Sequence, residues 1–248
     1  MTNSDSPSRQ RLAQRILELV DLTNLDDACA ETDVDLLCAR AHGSYGNVAA
    51  VCIWPRFVAR AVRQLEGTGI PVATVVNFPG GSDETSEIVS LISRCLADGA
   101  DEIDVVLPYR AFLEGRTDEV ASTLDAVRAA VPANRHLKVI LETGELADPE
   151  SIRRAARLAI DHGADFIKTS TGKTKVSATP ESARVMLEVI ADSIRPVGLK
   201  PSGGIRTLDD AEKYLQLADD IMGPTWVSSE TFRFGASGLL DALEGELG

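Results

Sequence analysis

The sequence predicts an α/β protein, a single (β/α)8 barrel, and three observations carry that expectation. The chain has 248 residues, close to the size of about 250 at which such barrels cluster. Short apolar runs rich in β-branched residues alternate with amphipathic stretches of about 10–15 residues throughout. No Pro/Gly/Ser-rich linker breaks the alternation, so one domain over 1–248 is expected, with residues 1–8 as a frayed start.

The strands come in order. Residues 19–25 read as a strand or as the end of a first helix. Clear runs follow at 48–53, 71–78, 102–107, 137–142, 165–170 and 196–200, and 231–235 is a weaker one. Counting both ambiguous runs gives eight. Runs without polar alternation suit parallel strands buried on both faces. Asp148-Pro149 and Thr179-Pro180 each place a capping residue before a proline at the first helical position, and Thr207 is a weaker cap. An open doubly wound sheet is the alternative arrangement.

An internal repeat sharpens the prediction. Gly99-Ala100-Asp101-Glu102-Ile103-Asp104 matches Gly163-Ala164-Asp165-Phe166-Ile167-Lys168, 64 residues on, about two βα units. Equivalent positions on alternate barrel strands share an interior layer, so Asp104 and Lys168 should point inward at one level.

The formal charge of −13 argues against nucleic acid or an anionic membrane as the main partner. No apolar run approaches the roughly 20 residues of a membrane span, and the N-terminal stretch is polar. Four cysteines without C-x-x-C spacing fit reduced thiols, and a cytoplasmic location is expected.

Against this acidic background the six lysines stand out beside 19 arginines. Lys168, Lys173, Lys175 and Lys200 fall at strand ends or in the loops after them. A guanidinium stays protonated, whereas an amine can lose its proton and attack a carbonyl. Lys168, in the apolar context Asp-Phe-Ile-Lys, is the candidate nucleophile. Lys200, in Val-Gly-Leu-Lys-Pro, should bring a second ammonium near it. At ~4 Å and an effective dielectric of ~20, two like charges repel by about 4 kcal/mol. That is worth roughly three pKa units and would draw a lysine toward neutrality.

Three Gly-rich stretches follow strands: Thr169–Lys173, Pro201–Gly204 and Phe234–Gly238. Backbone N–H groups freed by glycine, and a helix N-terminus after the last strand, can hold an anion, and in barrels of this kind the phosphate site often lies after strands seven and eight. His42, His136 and His162 have no metal-ligand spacing, so neither a metal nor another cofactor is expected. Nucleotide-loop, G-x-S-x-G and dinucleotide fingerprints are absent.

A set of motifs in order then identifies a resemblance: Asp21-Leu22-Thr23, Gly46-Asn47 with Ala49-Ala50-Val51-Cys52-Ile53, Asn77-Phe78-Pro79, Asp101-Glu102-Ile103-Asp104-Val105-Val106, Glu142-Thr143-Gly144-Glu145-Leu146, Phe166-Ile167-Lys168-Thr169-Ser170-Thr171-Gly172-Lys173 and Arg233-Phe234-Gly235-Ala236-Ser237. Together they resemble the deoxyribose-phosphate aldolase family over nearly the whole chain. The resemblance implies a barrel with an extra N-terminal helix, makes 19–25 the first strand, and implies metal-independent, reversible cleavage of 2-deoxy-D-ribose 5-phosphate to acetaldehyde and glyceraldehyde 3-phosphate. It makes Lys168 the imine-forming residue, Lys200 its pKa-lowering neighbour and Asp104 the acid/base acting through a water. Asp21, Cys52 and Thr171 take supporting roles, and Gly172, Lys173, Gly203, Gly204, Gly235 and Ser237 hold the phosphate. Two differences stand out: Gly238 where the family often has a second serine, and no terminal tyrosine. The partner expected is a small phosphorylated sugar. A homodimer is entertained, although the sequence does not fix the subunit count. The alternatives are a barrel aldolase for another phosphorylated sugar and a phosphosugar-binding barrel without turnover.

Overall fold

The structure is a computed structural model, and it describes residues 6–146 and 148–248. Eight parallel strands form one sheet: β1 (Val20–Asn24), β2 (Ala50–Ile53), β3 (Val72–Val76), β4 (Glu102–Val106), β5 (His136–Ile140), β6 (Phe166–Lys168), β7 (Gly198–Lys200) and β8 (Phe234–Ala236). Neighbours in the sequence are neighbours in the sheet, and β8 returns to lie beside β1. Eight helices follow the strands: α2 (Glu31–Ala41), α3 (Val58–Gln64), α4 (Thr85–Ala97), α5 (Thr117–Ala130), α6 (Pro149–Asp161), α7 (Pro180–Ala191), α8 (Leu208–Met222) and α9 (Leu239–Leu247). Single-turn helices at Tyr109–Leu113 and Thr143–Leu146 and a short hairpin, His42–Gly43 with Gly46–Asn47, decorate the loops.

The extra helix, α1 (Ser6–Leu17), docks against α8 and α9. It buries Ala13, Ile16 and Leu17, and ties its polar side down through Arg9 to Glu246 and Asp209 and through Arg15 to Asp219. Of the frayed start expected over 1–8, residues 1–5 lie outside those described, and residues 6–8 open α1.

The last ladder shows how one residue shapes closure. β7 and the segment leading into β8 meet in register at Leu199↔Phe232 and Ser202↔Gly235. Leu199 N donates to Thr231 O, Arg233 N to Leu199 O, and Gly235 N to Pro201 O. The bond missing from this series is the one Pro201 would donate, because proline has no N–H. The seam therefore closes with a gap, and β8 sits at Phe234–Ala236, later than the apolar run at 231–235 suggests.

The anticipated caps form. Asp148 accepts from the backbone of Glu150 and Ser151, and Thr179 from Ser182. Thr207, the weaker sequence signal, makes a full reciprocal box with Asp210. Apolar side chains fill the space between sheet and helices. Inside the barrel the filling is divided. Leu25, Cys52, Ala73 and Val75 make a small apolar patch, and charged side chains occupy much of the rest.

Candidate active site

Strand periodicity aims the charges. On β4, Glu102 and Asp104 share the inward face, and Asp104 is the register partner of Lys138 on β5. On the β6–β7 ladder Lys168 is the register partner of Lys200. Asp21 on β1 and Arg233, just before β8, complete the cluster. All seven side chains are buried.

Their contacts form one network. Lys168 Nζ and Lys200 Nζ each donate to Asp104 Oδ2 at 2.8 Å. Lys138 Nζ donates to Asp104 Oδ1 at 2.8 Å and also to Glu102. Lys200 Nζ lies 2.5 Å from Asp21 Oδ2. Arg233 donates to Asp21 Oδ1 at 2.7 Å and to Glu102 Oε1 at 3.3 Å. Three carboxylates thus face four basic groups.

That imbalance bears most on one residue. Burial pushes the Lys168 amine below its ordinary pKa; Asp104 opposes this and Lys200 adds to the depression. Burial acts on Lys200 as well, but Asp104 and Asp21 overcome it and hold its pKa above the ordinary value. Lys138 is likewise raised, against burial, by Asp104 and Glu102. Burial would raise Asp104, yet Lys138, Lys168 and Lys200 keep it well below the carboxylate range. Of the two effects that lower Lys168, desolvation is the larger and like-charge repulsion from Lys200 the smaller, whereas the sequence points to repulsion alone.

Lys168 sits where this network meets solvent space. It lines a cavity of about 560 Å³ at the C-terminal end of the barrel, together with Thr171, Gly172, Lys173, Gly203, Gly204, Gly235, Ser237 and Gly238. All the glycines assigned to anion binding therefore converge on one cavity. Their roles differ. A Cβ on Gly235 would sit 2.2 Å from Ser202 Oγ and 3.2 Å from Lys200 Cε, so close packing demands glycine there. Gly204 has φ +81° and open space in front of its Cα. Ser237 and Gly238 lead directly into α9, whose N-terminus opens at this mouth. Lys173 lines the cavity, but its ammonium pairs with Asp27 at 3.0 Å and lies 5.9 Å from the centre of the Trp54 ring.

Asp104, Lys200 and Asp21 lie beneath this cavity and do not line it, as their complete or near-complete burial requires. Cys52 faces the same interior from the apolar side, and burial pushes its thiol pKa up. His136 begins β5 and His162 caps the end of α6, both at the opposite end of the barrel from Lys168. Among the described residues, no three or more His, Cys, Asp or Glu side chains are grouped so as to hold a metal ion.

Lys138, Glu102 and Arg233 are not among the site residues expected from the sequence, although all three carry the signal that marks Lys168. Each is a charge inside or beside an apolar strand run, which is costly unless paired. Ser202 and Arg206, which line the cavity after β7, were passed over as well.

The fold and the site define a barrel enzyme of the aldolase class. The chain belongs to the DeoC/LacD family aldolases, whose sequence model matches residues 15–243. It is 55% identical over 227 residues to deoxyribose-phosphate aldolase of Agrobacterium fabrum, an alignment covering 91% of this chain and 87% of that one. A crystal structure from Coccidioides immitis, provisionally assigned as a deoxyribose-phosphate aldolase, superposes with a TM-score of 0.84 at 33% identity, covering 94% of this chain and 86% of that one. A similarly assigned structure from Toxoplasma gondii gives 0.90 at 25% identity, covering 98% and 96%.

Proposed function

We propose that this protein is a Schiff-base aldolase that reversibly cleaves 2-deoxy-D-ribose 5-phosphate to acetaldehyde and D-glyceraldehyde 3-phosphate. The observation that carries the reading is a lysine of depressed pKa at the base of a cavity rimmed by glycine-rich loops. The 55% identical deoxyribose-phosphate aldolase supports the substrate.

In this reading neutral Lys168 attacks the aldehyde carbon C1, and loss of water leaves a protonated imine. Removal of the C3 hydroxyl proton breaks the C2–C3 bond and releases glyceraldehyde 3-phosphate. The bonding electrons enter the imine and give an enamine at C1 and C2. Protonation at C2 and hydrolysis then release acetaldehyde and restore the amine. Asp104, held ionised by three lysines, accepts and passes on protons through a water and is not a standing acid. Lys138, Arg233 and Asp21 keep Asp104 and Lys200 in place. The rim glycines, Ser237 and the start of α9 hold the phosphate, with Lys173 free to leave Asp27 for the anion.

A cytoplasmic, metal-independent enzyme is part of the same proposal; no helix among the described residues is long and apolar enough to cross a membrane. A homodimer is proposed as the assembly.

Borohydride reduction in the presence of acetaldehyde tests the chemistry. Peptide mass mapping should find one added ethyl group on Lys168, with loss of 2-deoxyribose 5-phosphate cleavage. Modification at Lys173 or Lys200 instead, with Lys168 untouched, would remove the basis of the proposal.

A further inference from the structure

Glu142 lies just past β5 and has no part in the network around Lys168. It is buried, and its backbone is left-handed, with φ +57°. A non-glycine residue there carries strain and persists only where its surroundings fix it. The flanking bonds do so: Leu141 N donates to Lys168 O and Thr143 N to Thr169 O, both at 2.9 Å. The turn between these bonds swings the Glu142 side chain under the loop that follows β6.

Among the described residues, the hydrogen-bond donors to that carboxylate all belong to this loop. Thr171 Oγ1 donates to Oε2, and Thr171 N lies 3.3 Å from Oε2 and 3.4 Å from Oε1. Thr174 Oγ1 lies 3.2 Å from Oε1. The Thr171 hydroxyl in turn accepts from Lys173 N at 3.0 Å. One carboxylate therefore gathers the residues on both sides of Gly172 and Lys173. A second anchor lies beside it. A Cβ on Gly144 would fall 2.2 Å from Val176 O, so the loop rests on the bare Cα of the turn after Glu142. Its far end is bonded to the β7 loop, where Ala178 N donates to Ser202 O at 3.2 Å.

We infer that Glu142 is a positioning residue for phosphate recognition, fixing the Thr171–Thr174 segment so that Gly172 and Lys173 meet the substrate's phosphate. The inference rests on the phosphate site proposed above. It gives a buried carboxylate a binding role without contact to the anion. It also separates two duties in one loop, with Lys168 set by the charged interior and Gly172–Lys173 set by Glu142. A misplacement of about 1 Å in such a loop can cost a hundredfold in rate.

The test compares Glu142→Ala and Glu142→Gln with the parent on 2-deoxyribose 5-phosphate and on unphosphorylated 2-deoxyribose. Inorganic phosphate serves as a competitive inhibitor. For Glu142→Ala, the preference for the phosphorylated sugar, as a ratio of kcat/KM values, should fall about tenfold or more, mainly through KM, and the phosphate inhibition constant should rise with it. Glu142→Gln keeps one acceptor oxygen but sets an amide donor against the donors of Thr171, so its effect should have the same sign and be smaller. It decides the matter if the alanine variant does not fold. Equal losses on both sugars, or an unchanged preference, overturn the inference while leaving the phosphate site standing. A parent enzyme with no preference and no inhibition by phosphate overturns the phosphate site and this inference together.

Discussion

Lys168 and Lys200 face each other across one rung of the β6–β7 ladder, and both ammonium groups reach the same oxygen of Asp104. The two amines are therefore no farther apart than twice one hydrogen bond, yet they differ in fate. Lys200 has a second carboxylate, Asp21, and keeps its proton; Lys168 has Asp104 alone among the carboxylates and is drawn toward the neutral form.

Replacing Lys200 with Leu should move the rising limb of the pH–rate profile alkaline by about one unit or more. Two effects share this sign: the repulsion that lowers Lys168 disappears, and Asp104 and Asp21 are left with less compensation. Removing one partner of a buried pair also costs about 3–5 kcal/mol, so circular dichroism must accompany the kinetics. An unshifted limb in a folded variant would remove Lys200 from the tuning of Lys168.

Asp104→Asn should lower turnover by about 10²–10⁴, the range for a general acid–base group. Asp104 raises the pKa of Lys168, so its neutralisation should move the rising limb acidic, opposite to Lys200→Leu. Deuterium exchange into acetaldehyde, followed by NMR, reads the proton step directly. Exchange at the parent rate in the variant would show that another group moves the proton.

Activity should survive prolonged dialysis against EDTA. Loss on chelation, restored by zinc, would replace the imine mechanism with a metal-assisted one.

Stability should fall in acid in a defined window. Asp21, Glu102 and Asp104 titrate lower when folded than when unfolded, so near pH 4 the unfolded chain binds more protons. Their contribution is complete above the unfolded values of about 3.9–4.3 and is lost as pH falls through the lower folded ones. Urea midpoints measured from about pH 6 to about pH 3 should decline mainly below about pH 4.5. A flat profile would mean that the buried carboxylates are not held in their ionised form.

Much of this architecture is legible in the residue order because a parallel barrel writes its strands as apolar runs. Boundaries are less legible. The eighth strand depends on where Pro201 fails to donate, a relation between chain segments over 30 residues apart. The pairing of Asp104 with Lys168 could be read from a repeat, since repeated units occupy equivalent places. Lys138 carried no such marker and was passed over, although its setting in Leu-Lys-Val-Ile is the same kind of anomaly. Glu142 was visible within a motif, but its purpose depends on a backbone turn that composition does not encode.

The unequal count of charges in the cluster around Lys168 has a consequence once the proposed chemistry begins. When Lys168 gives up its proton, the remaining three cations match Asp21, Glu102 and Asp104, and this cluster is electroneutral. In the proposed mechanism a protonated imine at Lys168 brings the surplus back as a carbon electrophile, beside carboxylates whose charge is already matched by other cations. Such a centre relieves itself by drawing in the electrons of the neighbouring carbon–carbon bond. On this view the scaffold that makes the amine nucleophilic at rest also makes its adduct electron-hungry, so one electrostatic arrangement serves two opposite demands in a single turnover.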